Sequence, residues 1–269
     1  MIDHRRYRSL TSWLVIGVVS AFCVGSCKPS TPSERSKPAG TKTIVFVHGA
    51  WAGGWQYARV QPLLEQAGHT VYRPTMTGLG ERVHLAGAEV GLSTHIEDII
   101  KVLEFEDLRE VVLVGHSYGG MVIAGVAERV PTRIGKLVYF DAILPEDGDS
   151  VASLFGDAID TMVAAGGGGG EPWQLVPPWV EEGEAPPVDV PQPLRTFTES
   201  IVLGNPEATR IPAIFLLTVE AGNETDDFDV FANRARNRGW EVVEMDGGHN
   251  PQWFQPEAFV EVLLGVIHE

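Results

Sequence analysis

The sequence predicts an α/β protein with a mostly parallel sheet, and three observations support this prediction. Short β-branched segments alternate with longer segments of helical periodicity, as the crossover connections of a parallel sheet require. The strand segments are apolar almost throughout, which indicates burial on both faces. One strand segment runs into a glycine-flanked serine and then an apolar helical segment, so a strand–turn–helix unit lies in the middle of the pattern.

The predicted elements follow one another from residue 43 to the end of the chain. Strands are predicted at residues 43–47, 71–74, 110–114, 136–140, 211–219 and 240–245. Helices are predicted at 94–104, at 121–130 and from 256 onwards. We expect Thr94 and Glu97 to form a capping box at the start of the first helix, and Pro256 suits the first turn of the last one.

Residues 145–205 interrupt this alternation. The segment holds a run of five glycines and eight of the chain's 18 prolines. An insertion of this size within a compact domain predicts a lid or a binding element, and a disordered surface loop is the alternative. Trp173 and Trp179 favour the lid, because a solvated linker has little use for large aromatic side chains.

Composition excludes several classes of protein. The 269 residues include 20 Lys+Arg and 36 Asp+Glu, for a formal net charge of −16. This balance argues against nucleic-acid binding, because phosphate contacts need clustered basic side chains. Cys23 and Cys27 are the two cysteines, too few for a disulfide-stapled scaffold or a multi-cysteine zinc site. We expect no metal and no cofactor.

The N-terminal segment has the organisation of an export signal. Three arginines among the first eight residues precede an apolar run at 13–24, which is short for a membrane-spanning helix. Residues 24–27, Val-Gly-Ser-Cys, resemble the lipobox of bacterial lipoproteins. We therefore predict a signal peptide at 1–26, lipidation of Cys27, a flexible tether at 27–41 and a catalytic domain at 42–269. The expected protein is an exported, membrane-anchored lipoprotein of the bacterial cell envelope, in the periplasm or outer membrane; an ordinary signal peptide is the alternative.

The segment Gly115-His116-Ser117-Tyr118-Gly119 has the pattern G-x-S-x-G between a strand and a helix. This context is that of a nucleophile elbow, a tight turn that exposes a serine above the sheet. Side chains at the two glycines would collide with their neighbours in such a turn, and the serine lies at the positive end of the following helix. We predict Ser117 as the nucleophile.

A serine nucleophile needs a base, and the base needs an orienting acid. His249 follows the last strand, at the same edge of the sheet as the elbow, and is the predicted base. Asp141, directly after the 136–140 strand, is the favoured acid, and Glu220 is the alternative. We expect the other histidines outside the termini to be surface or structural residues, with His116 pointing away from the Ser117 side.

Together these motifs resemble the α/β-hydrolase superfamily, and in particular bacterial esterases similar to plant hydroxynitrile lyases, methyl-salicylate esterases and pyrethroid-hydrolase-like enzymes. The resemblance covers residue 43 to the C-terminus and rests on segments 46–51, 75–82, 102–105, 115–120, 139–141 and 248–249. It implies an α/β-hydrolase fold with a lid at about 145–205. It also implies an oxyanion hole formed by the backbone N–H groups of Ala50 and Tyr118. In the plant members the acid follows the later strand, where this chain has no clear aspartate, and that departure supports Asp141.

These residues predict a serine carboxylesterase that hydrolyses small to medium hydrophobic esters through an acyl-enzyme intermediate. The expected binding partner is therefore a small-molecule ester, and the sequence leaves the oligomeric state open. Four tryptophans are expected to line the substrate pocket: Trp51, Trp55, Trp173 and Trp179. A lyase is disfavoured, because Gly49 and Asn250 stand where the resemblance implies a threonine and a lysine in lyases. A non-catalytic binding protein on the same fold is the rival from another class.

Overall fold

The computed structural model describes residues 40–157, 159, 161, 171–181, 183–220, 222 and 228–268. The predicted signal peptide, Cys27 and the tether up to residue 39 lie outside this part, as does the glycine run of the insertion. Within the described part, no helix is both long and apolar enough to cross a membrane.

The centre of the fold is a six-stranded sheet in the order β2-β1-β3-β4-β7-β8, and every pair of neighbouring strands in it is parallel. This confirms the predicted parallel sheet. The strands are Thr43–Val47 (β1), Thr70–Tyr72 (β2), Val111–Ser117 (β3), Ile134–Ala142 (β4), Gln174–Leu175 (β5), Gln192–Pro193 (β6), Ala213–Val219 (β7) and Glu241–Asp246 (β8). The short strands β5 and β6 form a separate antiparallel pair within the insertion.

Helices cover both faces of the sheet. They are Gln61–Gln66 (α1), Leu92–Phe105 (α2), Gly119–Arg129 (α3), Val151–Leu154 (α4), Arg195–Thr198 (α5), Asp229–Asn237 (α6), Pro251–Phe254 (α7) and Pro256–His268 (α8), with 3₁₀ turns at Gly54–Tyr57, Gly80–Leu85, Pro131–Arg133 and Ala208–Arg210. Buried residues of α2, α3 and α6 form one hydrophobic core, and those of α1 and α8 form a second core with the opposite face of the sheet.

The start of α2 differs from the prediction. The helix begins at Leu92 with Gly91 as its N-cap, and the Thr94 hydroxyl accepts the Gly91 N–H at 3.3 Å. Glu97 instead pairs with Lys101 at 3.1 Å. The predicted capping box between Thr94 and Glu97 is therefore wrong, because Thr94 is the third residue of the helix rather than its cap.

The described part of the insertion packs against the sheet and helices. Leu175, Phe197 and Ile201 are buried in the same core as α2 and α3. Burial of these side chains holds the β5–β6 pair and α5 close to the end of β3. The insertion thus lies beside the carboxyl edge of the parallel strands, where ligands bind in open α/β sheets.

Candidate active site

Ser117 is the last residue of β3 and has a φ of +53°, in the left-handed region that a serine rarely adopts. The turn is tight: a Cβ on Gly119 would come within 2.5 Å of the Val47 carbonyl oxygen, and one on Gly120 within 2.0 Å of the Ile143 carbonyl oxygen. These contacts explain why glycines follow the serine turn. The strained serine stands where β3 meets the first turn of α3, as a nucleophile elbow requires.

His249 and Asp141 are in direct contact. His249 Nδ1 lies 2.5 Å from Asp141 Oδ2, and Asp141 Oδ1 accepts the backbone N–H of Thr218 at 3.1 Å. Asp141 is fully buried and has a φ of +42°. A carboxylate bonded to Nδ1 keeps the proton of a neutral imidazole on that nitrogen, so Nε2 is left as a proton acceptor.

Glu220, the alternative acid, lies behind the His249 loop. A Cβ on Gly248 would come 2.7 Å from Glu220 Oε1, so the carboxylate packs on the glycine next to the histidine. The hydrogen bond of the imidazole goes to Asp141 and not to Glu220. The further acidic residues that follow β7, at positions 224, 226 and 227, lie outside the described residues.

His116 and Phe228 hold the His249 loop. The buried His116 ring donates from Nε2 to the His249 carbonyl oxygen at 2.8 Å, and the Phe228 ring stacks on the His249 imidazole at 4.8 Å. Burial, and next the nearby His249, lower the pKa of His116 well below its usual value, so its ring is neutral. The sequence had indicated only that His116 points away from the Ser117 side. Phe228 follows a polar segment and gave no signal in the sequence.

The loop before Ala50 is fixed by His48. This buried ring donates from Nδ1 to the Gly49 carbonyl oxygen at 2.8 Å and accepts the Met76 N–H on Nε2 at 3.1 Å. Burial lowers the pKa of His48 to about 4. In a trans peptide the C=O and the N–H point in opposite directions, so the bond to Gly49 turns the Ala50 N–H away from His48.

Tyr118, the other predicted oxyanion donor, is also held through a buried histidine. Its hydroxyl donates to His95 Nδ1 at 3.0 Å, and His95 Nε2 donates to the Thr77 carbonyl oxygen at 2.9 Å. Burial lowers the pKa of His95 to about 4. His95 is therefore a neutral structural residue, in agreement with the expectation for histidines outside the predicted site.

Three of the four tryptophans predicted to line the substrate pocket have rings near the loop after Ala50 or the segment after His249. Trp51 meets Trp179 edge-to-face, with ring centroids 5.1 Å apart.

Trp55 and Trp179 line a cavity of about 300 Å³. The cavity also borders Trp253 and Asn250, the neighbour of His249. Trp173 is not among the residues that line this cavity, and its carbonyl oxygen accepts the Leu194 N–H at 2.7 Å within the insertion. Trp253 was not predicted, although it lies only four residues beyond His249.

No group of three or more His, Cys, Asp or Glu side chains in the described part of the chain is arranged to hold a metal ion. The arrangement that the structure does show is a strained serine, a histidine bonded to a buried carboxylate, and peptide N–H groups held near the serine.

A parallel sheet that presents a serine on a tight turn and a carboxylate-bound histidine defines a hydrolase of the nucleophile-elbow type. The sequence profile described as "Alpha/beta hydrolase family" matches residues 44–262. The chain belongs to this family, which confirms the predicted fold class.

Relatives of the chain include esterases. It is 38% identical over 240 residues to a carbendazim hydrolyzing esterase from Nocardioides sp. (strain SG-4G), covering 83% of this chain and 98% of that protein. It is 35% identical over 104 residues to an alpha-hydroxynitrile lyase from Arabidopsis thaliana, covering 38% of this chain and 40% of the lyase. The carbendazim hydrolyzing esterase and the plant methylesterases that also match confirm the predicted class, a carboxylic ester hydrolase.

Solved structures show the same fold. An extracellular α/β-hydrolase from a Paenibacillus species superimposes with a TM-score of 0.70 at 23% sequence identity, covering 83% of this chain and 98% of that one. The predicted relationship to esterases of this superfamily is confirmed.

Proposed function

We propose that the protein is a serine carboxylesterase with Ser117 as nucleophile, His249 as base and Asp141 as the acid that orients it. The observation that carries this proposal is the 2.5 Å contact between His249 Nδ1 and Asp141 Oδ2. Because Thr218 fixes the other carboxylate oxygen, the acid cannot turn without breaking a buried hydrogen bond.

The geometry supports the following sequence of steps. Ser117 Oγ attacks the ester carbonyl carbon while His249 Nε2 accepts the hydroxyl proton, and the Asp141 carboxylate stabilises the imidazolium that forms. The backbone N–H groups of Ala50 and Tyr118 donate to the developing oxyanion. The protonated His249 then donates to the departing alcohol, which leaves an acyl group on Ser117. A water molecule deprotonated by His249 attacks this acyl group, the bond between the acyl carbon and Ser117 Oγ breaks, and His249 returns the proton to Oγ as the acid leaves.

Hydrophobic esters of small to medium size are the proposed substrates. Trp55, Trp179 and Trp253 border the cavity next to Asn250, and aromatic walls favour apolar groups on the ester. The relative that spans most of the chain is named for hydrolysis of carbendazim, which makes carbendazim a suitable member of the substrate panel. A hydroxynitrile lyase is the weaker candidate, because its match covers 38% of the chain and Gly49 and Asn250 depart from the lyase pattern.

Incubation of the mature protein with a fluorophosphonate is expected to add one phosphonyl group, located on Ser117 by peptide mass spectrometry. The same reagent should leave Ser117→Ala unlabelled, and this variant is the control for labelling at other serines. Hydrolysis of p-nitrophenyl esters of graded chain length should favour medium acyl chains over acetate. Folded wild-type protein without an adduct would exclude the serine mechanism and favour a non-catalytic binding protein.

We also propose that Cys27 carries the lipid of a bacterial cell-envelope lipoprotein. Lipid chains on this residue would anchor the protein stably, since more than one acyl chain gives lasting membrane attachment. Cys27→Ser, expressed in a bacterial host, is expected to move the protein from the membrane fraction to the soluble fraction with its esterase activity retained. Cys23→Ser is the matched control and should remain in the membrane fraction. Unchanged fractionation of Cys27→Ser would contradict the lipobox.

A further inference from the structure

Trp51, the residue after Ala50, makes three hydrogen bonds with the insertion. Its indole N–H donates to the Leu175 carbonyl oxygen at 2.9 Å, and its own carbonyl oxygen accepts the Val190 N–H at 2.8 Å. Its backbone N–H donates to Gln192 Oε1 at 2.8 Å. Trp51 has a φ of +60°, a strained left-handed conformation that a tryptophan keeps only where its surroundings hold it. The insertion therefore fixes a strained residue of the loop that carries Ala50.

Gln192 is suited to this contact because its amide can adopt only one orientation. The side chain is fully buried, and Nε2 donates to the Thr196 hydroxyl oxygen at 2.7 Å. The Thr196 hydroxyl in turn donates its proton to the Pro193 carbonyl oxygen at 2.7 Å. Since the hydroxyl proton is engaged, Thr196 can only accept from Gln192. The amide nitrogen must then face Thr196, and the amide oxygen must face the Trp51 N–H.

Ala50 thus lies between two peptide groups that are held from opposite sides. On its amino side, His48 binds the Gly49 carbonyl oxygen of the peptide that contains the Ala50 N–H. On its carboxyl side, Gln192 binds the N–H of the peptide that joins Ala50 to Trp51. With both peptide planes fixed, the direction of the Ala50 N–H is set before substrate arrives.

We propose that Gln192 is a positioning residue for the oxyanion hole, so that the insertion takes part in catalysis as well as covering the substrate. This inference rests on the proposed serine esterase function. Gln192 acts through Trp51 and Ala50 and does not itself touch the reacting atoms. Without it, the Ala50 N–H would lose alignment with the oxyanion, which exists only after nucleophilic attack. The loss should therefore appear in kcat rather than in KM.

Gln192→Met tests the proposal, because methionine keeps the length of the side chain and removes both hydrogen-bonding groups. The expected result is a fall in kcat of about 10- to 100-fold with KM within about twofold, a smaller loss than the 10²–10³ that follows removal of an oxyanion donor itself. The rate of fluorophosphonate labelling at Ser117 should fall in parallel, because the phosphoryl oxygen occupies the same site. Thermal unfolding of each variant shows how much protein is folded.

Thr196→Val provides a second variant that leaves Gln192 in place and frees its amide to turn, with a smaller fall in kcat expected. Thr198→Val on the same helix is the matched control, since Thr198 is exposed, and it should leave kcat unchanged. Because Thr196 also contacts the Tyr118 hydroxyl, Tyr118→Phe is measured beside Thr196→Val. If Gln192→Met does not fold, a fall in kcat of Thr196→Val beyond that of Tyr118→Phe decides the question by the same measurements.

The outcomes separate this inference from the proposed function. A wild-type protein that neither hydrolyses esters nor labels at Ser117 would overturn the function itself. An active wild type together with folded Gln192→Met and Thr196→Val variants of unchanged kcat would overturn the role of Gln192. A rise in KM alone would do the same, because it would make Gln192 a substrate-binding residue.

Discussion

Replacement of Asp141 by asparagine is expected to lower kcat for ester hydrolysis by about 10⁴-fold with little change in KM. The buried Thr218 N–H needs an acceptor and would hold the asparagine carbonyl oxygen in the place of Oδ1. The asparagine NH₂ group would then face His249 Nδ1, which would have to accept a hydrogen bond instead of donating one. The imidazole proton would move to Nε2, and the base would be lost while the shape of the site is kept.

Glu220→Gln is the matched control for this experiment. It neutralises an acid that packs against Gly248, next to His249, without touching the bond between His249 and Asp141. We expect it to retain at least about half of the wild-type kcat. Steady-state kinetics of both variants, with circular dichroism to verify folding, give the ranking. A larger loss in Glu220→Gln than in Asp141→Asn would reverse our assignment of the acid.

The sequence narrowed the acid to two positions and favoured Asp141, but it could not exclude Glu220. Asp141 lies near the end of β4 and Glu220 directly follows β7, and these two strands are direct neighbours, so the order of elements brings both acids to the same edge of the sheet. The choice depends on where each strand turns: β4 continues to Ala142, and Asp141 turns out of it with a φ of +42°. Such a local distortion has no signature in the pattern of apolar residues.

Whether the other elements and buried residues could be predicted also depended on their local surroundings. The limits of β1 were predicted to the residue because its five consecutive apolar or β-branched residues are buried on both faces. The start of α2 was misplaced because its N-cap is Gly91, which offers no capping side chain. Gln192 gave no signal either, since its partner Trp51 lies 141 residues away and glutamine is rarely a buried residue.

The free energy of unfolding is expected to fall as the pH is lowered from 6.5 to 4, by about 3 kcal/mol for each of the buried residues His48 and His95. Burial is the main cause of the lowered pKa in both, to about 4 from the ordinary 6.5. In this range the unfolded chain binds protons that the folded chain excludes, so acid favours unfolding. Above about pH 7.5 neither state binds these protons and the contribution is constant. His116, whose pKa is also lowered by burial, acts in the same direction.

His95→Gln isolates one of these contributions, because glutamine can still donate to the Thr77 carbonyl oxygen and accept from the Tyr118 hydroxyl but does not titrate. Urea unfolding measured at several pH values between 6.5 and 5, above the range where most carboxylates titrate, should give a slope lower by about 1 kcal/mol per pH unit than that of the wild type. The slope is informative even if the variant is less stable overall.

His84→Gln, at an exposed histidine, should keep the wild-type slope. Equal slopes in His95→Gln and the wild type would mean that His95 is protonated in the folded protein, and its hydrogen bond to Tyr118 could not then be the one described.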